Sequence, residues 1–148
     1  MIHADELKSI PIFGCLTEAQ RQRLAQTAAD IRVQAGEWVI REGDAPWFFV
    51  LIEGEMDVYK RFGGTDRVVN KYKRGDFFGE TPILLAAPAI ASLRAHEDSR
   101  LARLDKLQFK ELIDMSPDCS SIILQTMAKR VSLIQDYVRE NNEARQQK

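Results

Sequence analysis

The chain has 148 residues, 45% of them hydrophobic and 29% charged, with a formal net charge of −1. That is the length of one ordinary domain with ample apolar material for a core, which excludes a disordered chain. The near-neutral balance, with a pI of about 6.1, excludes strong non-specific attraction to nucleic acid.

Met1 to Leu7 lacks a basic stretch followed by an apolar one, so no secretory signal is expected. No apolar run approaches the roughly 20 residues that span a bilayer, and the cytoplasm is the expected compartment. Residues 1–30 read as a helical segment. Thr17 caps a helix, with Gln20 three positions on to complete a capping box, and Leu24, Ala25 and Ala28 form its apolar face. Ile12 and Phe13, just before the cap, are placed to staple the start of that helix.

Residues 31–105 change character. Glycines followed by an acid punctuate them: Gly36-Glu37, Gly43-Asp44, Gly54-Glu55, Gly75-Asp76 and Gly79-Glu80. Between them lie short runs that read as strands, at Trp38-Val39-Ile40, Trp47 to Ile52, and Met56 to Tyr59. Gly63-Gly64 predicts a hairpin before Arg67-Val68-Val69, and Leu93 to Leu104 predicts two strands split near Glu97-Asp98-Ser99. Many short strands with closely spaced turns indicate an antiparallel jelly-roll β-barrel. The predicted class is α+β, mainly β, with the barrel flanked by an N-terminal helix and C-terminal helices.

Residues 106–148 read as helical again. Asp105 caps a helix carrying Leu107, Phe109, Leu112 and Ile113, and Ser116-Pro117 stops and restarts the chain. Leu124, Met127, Val131, Ile134 and Val138 then recur at steps of 3 and 4, a short heptad seam whose continuation at Asn141 and Arg145 turns polar. Such a stripe either covers the domain's own barrel or meets a second copy. Ile122, Ile123 and Leu133 lie off the seam and can face the barrel, so a homodimer is favoured.

Little else points to chemistry. Cys15 and Cys119 form no CxxC pair and read as two buried, reduced thiols. His3 and His96 are isolated, so no metal site is expected, and no P-loop or Ser/His/Asp arrangement suggests catalysis or a cofactor. Lys60, Arg61, Arg67, Lys71, Lys73 and Arg74 read as a solvated hairpin face rather than a docking patch. Trp38, Trp47, Phe48 and Phe49 read as core. No recognition helix follows before Lys148, so DNA binding is not expected.

Val33 to Asp44, Val50 to Val58 and Gly75-Asp76-Phe77-Phe78-Gly79-Glu80 together resemble the cyclic-nucleotide-binding domain family, the last run resembling the start of its phosphate-binding cassette. The resemblance implies a regulatory ligand sensor with a cassette over residues 77–92 and a small-molecule site at Gly79, Glu80, Thr81, Ala89, Ile90, Ala91 and Ser92. Gly79 and Glu80 match the family glycine and ribose-binding acid, and Pro88, Ala91 and Ser92 match the residues that end the cassette. Ala89 stands where the family has a phosphate-gripping arginine. Pro82, which has no N–H, stands where a second donor is usual, while Ile90 retains its N–H. Weak or absent binding of cyclic AMP and cyclic GMP is therefore expected.

Arg94 compensates only if it swings inward; its plainer reading is a strand residue paired with a surface acid. The pocket, lined by Leu84, Leu85, Ala89 and Ile90, then takes a neutral or largely apolar ligand with Glu80 orienting a hydroxyl, or stands empty in an interaction module. A genuine cyclic-nucleotide sensor using other phosphate contacts is the third alternative. Trp38 to Gly64 with Phe78 to Pro82 is also similar to N-terminal sensor domains of thioredoxin-reductase-type flavoproteins, which would make this the regulatory part of a longer enzyme.

Overall fold

The computed structural model describes residues 1–146, so Lys148 lies outside the described residues. Three short helices open the chain: α1 (Ala4–Lys8), α2 (Pro11–Gly14) and α3 (Glu18–Thr27). Thr17 starts α3 by reciprocal bonds. Its hydroxyl accepts from the Gln20 N–H at 3.2 Å, and its own N–H donates to the Gln20 side-chain oxygen at 2.9 Å. These bonds satisfy amides that a first helical turn leaves unpaired. Ile12 and Phe13, expected before the helix as a staple, instead form α2 and are buried.

Eight strands follow among the described residues. They are β1 (Ala29–Val33), β2 (Trp38–Ile40), β3 (Phe48–Glu53), β4 (Glu55–Phe62), β5 (Thr65–Lys73), β6 (Phe77–Phe78), β7 (Ser92–Ala95) and β8 (Ser99–Leu104). A short helix, α4 (Glu80–Leu84), interrupts them between β6 and β7. The strands form two antiparallel four-stranded sheets, ordered β1-β8-β3-β6 and β2-β7-β4-β5, which make the jelly roll. The β4–β5 hairpin turns through Gly63 and Gly64, at φ 56° and 86°, between the paired Phe62 and Thr65. Positive φ at both turn positions matches the right-handed twist of the strands, and glycine adopts it without a Cβ clash.

β3 explains why the sequence shows an unbroken apolar run there. Phe48, Val50 and Ile52 face the helices, where they pack with Phe13, Phe109 and Ile123. Phe49 and Leu51 face the opposite way, into a second core with Met56, Phe78 and Leu101. A strand buried on both faces does not alternate.

After the barrel come α5 (Lys106–Met115) and α6 (Pro117–Gln146). Asp105 caps α5, accepting the Gln108 N–H at 2.8 Å, as the sequence predicts. Leu107 does not join the apolar face and is 72% exposed, while Phe109 and Leu112 are buried. A helix turns about 100° per residue, so Leu107 lies nearly opposite Phe109. The two cysteines also differ from expectation. Cys119 is buried, its thiol pushed up to about 12 by burial and donating to the Ile12 carbonyl at 2.7 Å, but Cys15 caps α2 at an exposed turn.

One buried charge ties the N-terminal helices to the barrel. Arg100 on β8 is 6% exposed and grips Asp30 with Nε at 3.0 Å and a terminal nitrogen at 3.1 Å, and it also pairs with Glu6. This hydrogen bonding holds the Asp30 carboxyl at about 2, below its ordinary 3.8. The depressed value means stability that is present above the unfolded-state pKa and lost as pH falls toward the folded one. Asp30→Asn should cost about 2 kcal/mol at neutral pH and flatten the acid limb below about pH 4, measured by urea unfolding at a series of pH values.

Candidate functional site

The site grows from one glycine. Gly79 sits at φ 90°, where β6 ends and α4 begins, and a Cβ there would lie 1.9 Å from the Trp47 carbonyl oxygen. Only glycine lets the two backbones approach so closely. α4 runs one turn, with Leu85 N–H closing on the Thr81 carbonyl at 3.0 Å. The segment then returns to the barrel and is clamped at Ala89. Ala89 N–H donates to the Asp44 carbonyl at 2.9 Å, and the Gly43 N–H donates to the Ala89 carbonyl at 2.8 Å. The Gly43-Asp44 turn thus fixes the end of the segment.

Gly79, Glu80, Thr81, Ala89, Ile90 and Ala91 all line one cavity of about 60 Å³, and Pro82 joins them. Ser92 does not line it. Its hydroxyl accepts the Glu42 N–H at 2.7 Å, so it braces β7 against the loop after β2. Leu84 and Leu85, expected in the pocket, are 37% and 60% exposed, because the one-turn helix points its last residues outward.

Glu80 is 2% exposed, and its Oε1 accepts a hydrogen bond from Arg130 at 2.8 Å and a longer one from the Thr81 hydroxyl at 3.4 Å. Arg130 comes from α6, fifty positions along the chain. Its guanidinium lies 4.4 Å from the Tyr72 ring centre and 4.9 Å from that of Phe77, so the cation is flanked by aromatic faces. Burial pushes the hydroxyl of Tyr72, which lines the cavity, up to about 12. Sequence reasoning missed Arg130. Its signal is the four-residue step to Ile134, which puts both on the helix face that meets the cavity.

This also corrects the heptad seam. Ile134 lines the cavity, Met127 and Val131 are half-buried, and Leu124 and Val138 are 47% and 38% exposed. The inward line of α6 runs through the buried Ile123 and the half-buried Arg130 and Ile134; Ile123 and Arg130 each stand one residue before the expected Leu124 and Val131, while Ile134 is common to both. The side chains of Asn141 and Arg145 lie outside the described residues. Ile122 packs against the core beside the fully buried Ile123, and Leu133 is half-buried.

Other cations are engaged elsewhere. Arg94 points away from the cavity, donating Nε to the Gly36 carbonyl at 2.7 Å and lying 5.2 Å from the Trp38 ring centre, so its partner is backbone and an indole rather than an acid. Lys60 braces the segment from outside, donating to the Ile90 carbonyl at 2.7 Å and pairing with Glu42. His96 Nδ1 stands 3.0 Å from Asp57 Oδ2. Among the described residues no three His, Cys, Asp or Glu side chains converge as a metal site, and no helix is long and apolar enough to cross a membrane. Of the aromatic residues expected in the core, Phe48 and Phe49 are there, Trp38 is half-buried, and Trp47 is 40% exposed.

Residues 30–116 match the family model for the cyclic nucleotide-binding domain. The chain belongs to the cyclic nucleotide-binding domain family. It is a regulatory binding domain, not a catalytic one. It is 39% identical over 108 residues to a cAMP-dependent protein kinase regulatory subunit of Neurospora crassa, covering 72% of this chain and 28% of that protein. The chain thus spans about a quarter of the length of that curated relative. The regulatory domain of Toxoplasma gondii protein kinase A, solved with cAMP, superposes with a TM-score of 0.72 at 26% identity, over 87% of this chain and 48% of that one. The regulatory subunit of a cAMP-independent protein kinase A from Trypanosoma cruzi, bound to guanosine, shares the fold with a TM-score of 0.77 at 20% identity, over 90% of this chain and 50% of that one. These relatives are kinase regulatory proteins, so the similarity to flavoprotein sensor domains finds no support in them.

Proposed function

We propose that this domain is a regulatory sensor whose pocket takes a neutral, hydroxyl-bearing ligand of the nucleoside class in preference to a cyclic phosphate. One observation carries the reading: where a phosphate needs a cation and an amide, the cavity wall offers the methyl group of Ala89 and the ring of Pro82. The cation that does reach the cavity, Arg130, is already committed to Glu80. Glu80 Oε1 is occupied, which leaves Oε2 to accept a ribose hydroxyl. A guanosine-bound relative of the same fold is consistent with such a preference.

Arg130 and Ile134 wall the cavity. A ligand that touches them biases the position of α6. The output is an attached domain or a partner of the kind a kinase regulatory subunit controls. Leu124 and Val138 remain exposed for a homodimer contact along α6. The small cavity also favours a second reading, a closed domain that serves only as an interaction module.

Titration calorimetry with adenosine, guanosine, cyclic AMP, cyclic GMP and cyclic dinucleotides separates these. Nucleosides should bind, and cyclic mononucleotides should bind at millimolar strength or weaker, about a thousandfold below a micromolar site. Micromolar cyclic AMP binding would overturn the proposal, and silence towards every ligand would favour the closed module.

A further inference from the structure

Tyr72 stands near the end of β5, paired across to Met56, with its ring in the second core and stacked on Phe78 at 5.7 Å between ring centres. It is 8% exposed and lines the ligand cavity. A phenylalanine would supply the same packing. What tyrosine adds is one oxygen, and that oxygen makes no hydrogen bond among the described residues, although a buried tyrosine hydroxyl ordinarily finds a partner. Among the described residues only Asp57 Oδ1 and Arg103 Nε are fully enclosed without a hydrogen bond, so the Tyr72 oxygen keeps contact with open space.

The same residue adjoins the acid of the site. Arg130, which donates to Glu80 Oε1 at 2.8 Å, lies 4.4 Å from the Tyr72 ring centre, so one cation touches both residues. Burial is the main cause of the raised Tyr72 value, but Arg130 pulls it down and Glu80 pushes it up, so the hydroxyl lies within the field of that pair. The polar groups left over are complementary. Glu80 Oε2 can only accept, whereas a tyrosine hydroxyl can donate and accept. One ligand hydroxyl satisfies Glu80, and a neighbouring hydroxyl satisfies Tyr72. From this we infer that Tyr72 is a specificity-determining residue, its hydroxyl bonding the second hydroxyl of a vicinal diol whose first hydroxyl donates to Glu80. The assignment rests on the sensor reading proposed above and narrows its ligand to a ribonucleoside. A deoxynucleoside has no such diol on its sugar. Nor has a 3′,5′-cyclic nucleotide, whose 3′ oxygen is esterified. Either one leaves a polar atom of the site unpaired once water is expelled.

The test is titration calorimetry on the 148-residue chain and on Tyr72→Phe, with adenosine and guanosine and the 2′-deoxy and 3′-deoxy form of each. The unaltered chain should bind a ribonucleoside roughly tenfold more tightly than either of its deoxy forms. Tyr72→Phe should weaken the ribonucleoside by roughly five- to tenfold and leave unchanged the deoxy form that lacks the hydroxyl Tyr72 meets. Its urea midpoint should not fall, because the ring contacts remain and no hydrogen bond within the fold is lost. Ribonucleoside binding that Tyr72→Phe leaves untouched would overturn the assignment alone. Equal weakening of the ribonucleoside and both deoxy forms would do the same, as would a lowered urea midpoint, since the hydroxyl would then serve the fold rather than the diol. Absence of nucleoside binding to the unaltered chain would overturn the sensor reading and this assignment with it.

Discussion

Pro82→Ala combined with Ala89→Arg is expected to strengthen cyclic AMP binding roughly a thousandfold, measured by calorimetry. A hydrogen bond to a charged group contributes roughly 1.5–3 kcal/mol, and a desolvated charge partner roughly 2–5 kcal/mol. Each 1.4 kcal/mol or so is tenfold, so restoring one amide and one cation supplies about two and a half powers of ten at the low end and more above it. The backbone is ready for both changes. Pro82 is the third residue of α4, where an N–H would have no partner inside the helix. Ala89 is 6% exposed and pinned on both sides by the Gly43-Asp44 turn, so an introduced guanidinium would extend from a fixed base into the cavity. Arg130 and Ile134 stand at the cavity that the new guanidinium would enter. In the unliganded variant the new cation competes with Arg130 for Glu80, so the protein should lose stability until ligand is added and then regain it. A gain below about tenfold would show that α6, through Arg130 and Ile134, controls access more strongly than the missing contacts do.

The barrel was legible because its signals are local. Glycine before an acid marks a turn, and the capping boxes at Thr17 and Asp105 each lie within four residues, so the sequence carries them whole. Glu80 and Ala89 entered as cassette positions through the family resemblance of the runs around them, not through a local turn or cap. The pocket's closure was not, because it joins residues fifty positions apart on a helix whose pattern admits two phases. Leu124-Met127-Val131-Ile134 and Ile123-Met127-Arg130-Ile134 both step by three and four, and an arginine reads as a break in an apolar stripe. Only the packing of α6 against β5 and α4 makes Arg130 an inward residue, with its charge met by Glu80 and its plane by Tyr72 and Phe77. Leu107 failed for a related reason. Being apolar near Phe109 suggested a shared face, but two residues apart on a helix are nearly opposed, and the core needed only Phe109 and Leu112.

Arg130→Met should destabilise the domain by about 3–5 kcal/mol, measured by denaturant unfolding. The methionine keeps the contacts with the Tyr72 and Phe77 rings, so most of this loss comes from the charge left behind. Glu80 is 2% exposed, and without Arg130 its carboxylate keeps only the Thr81 hydroxyl at 3.4 Å among the described residues. A buried charge in that state costs far more than the intact pair contributes over apolar groups of the same size. Adding Glu80→Gln should therefore recover most of the loss, although either single change is harmful. The coupling in that double-mutant cycle should reach about 3 kcal/mol or more. Amides of α6 around Arg130 should exchange faster with solvent in the single variant, because the pair is what holds this stretch of helix to α4. Strictly additive losses would mean that the two side chains do not act together. The position of α6 would then be set by Ile123 and Ile134 alone, and the ligand would have no charge contact through which to move it.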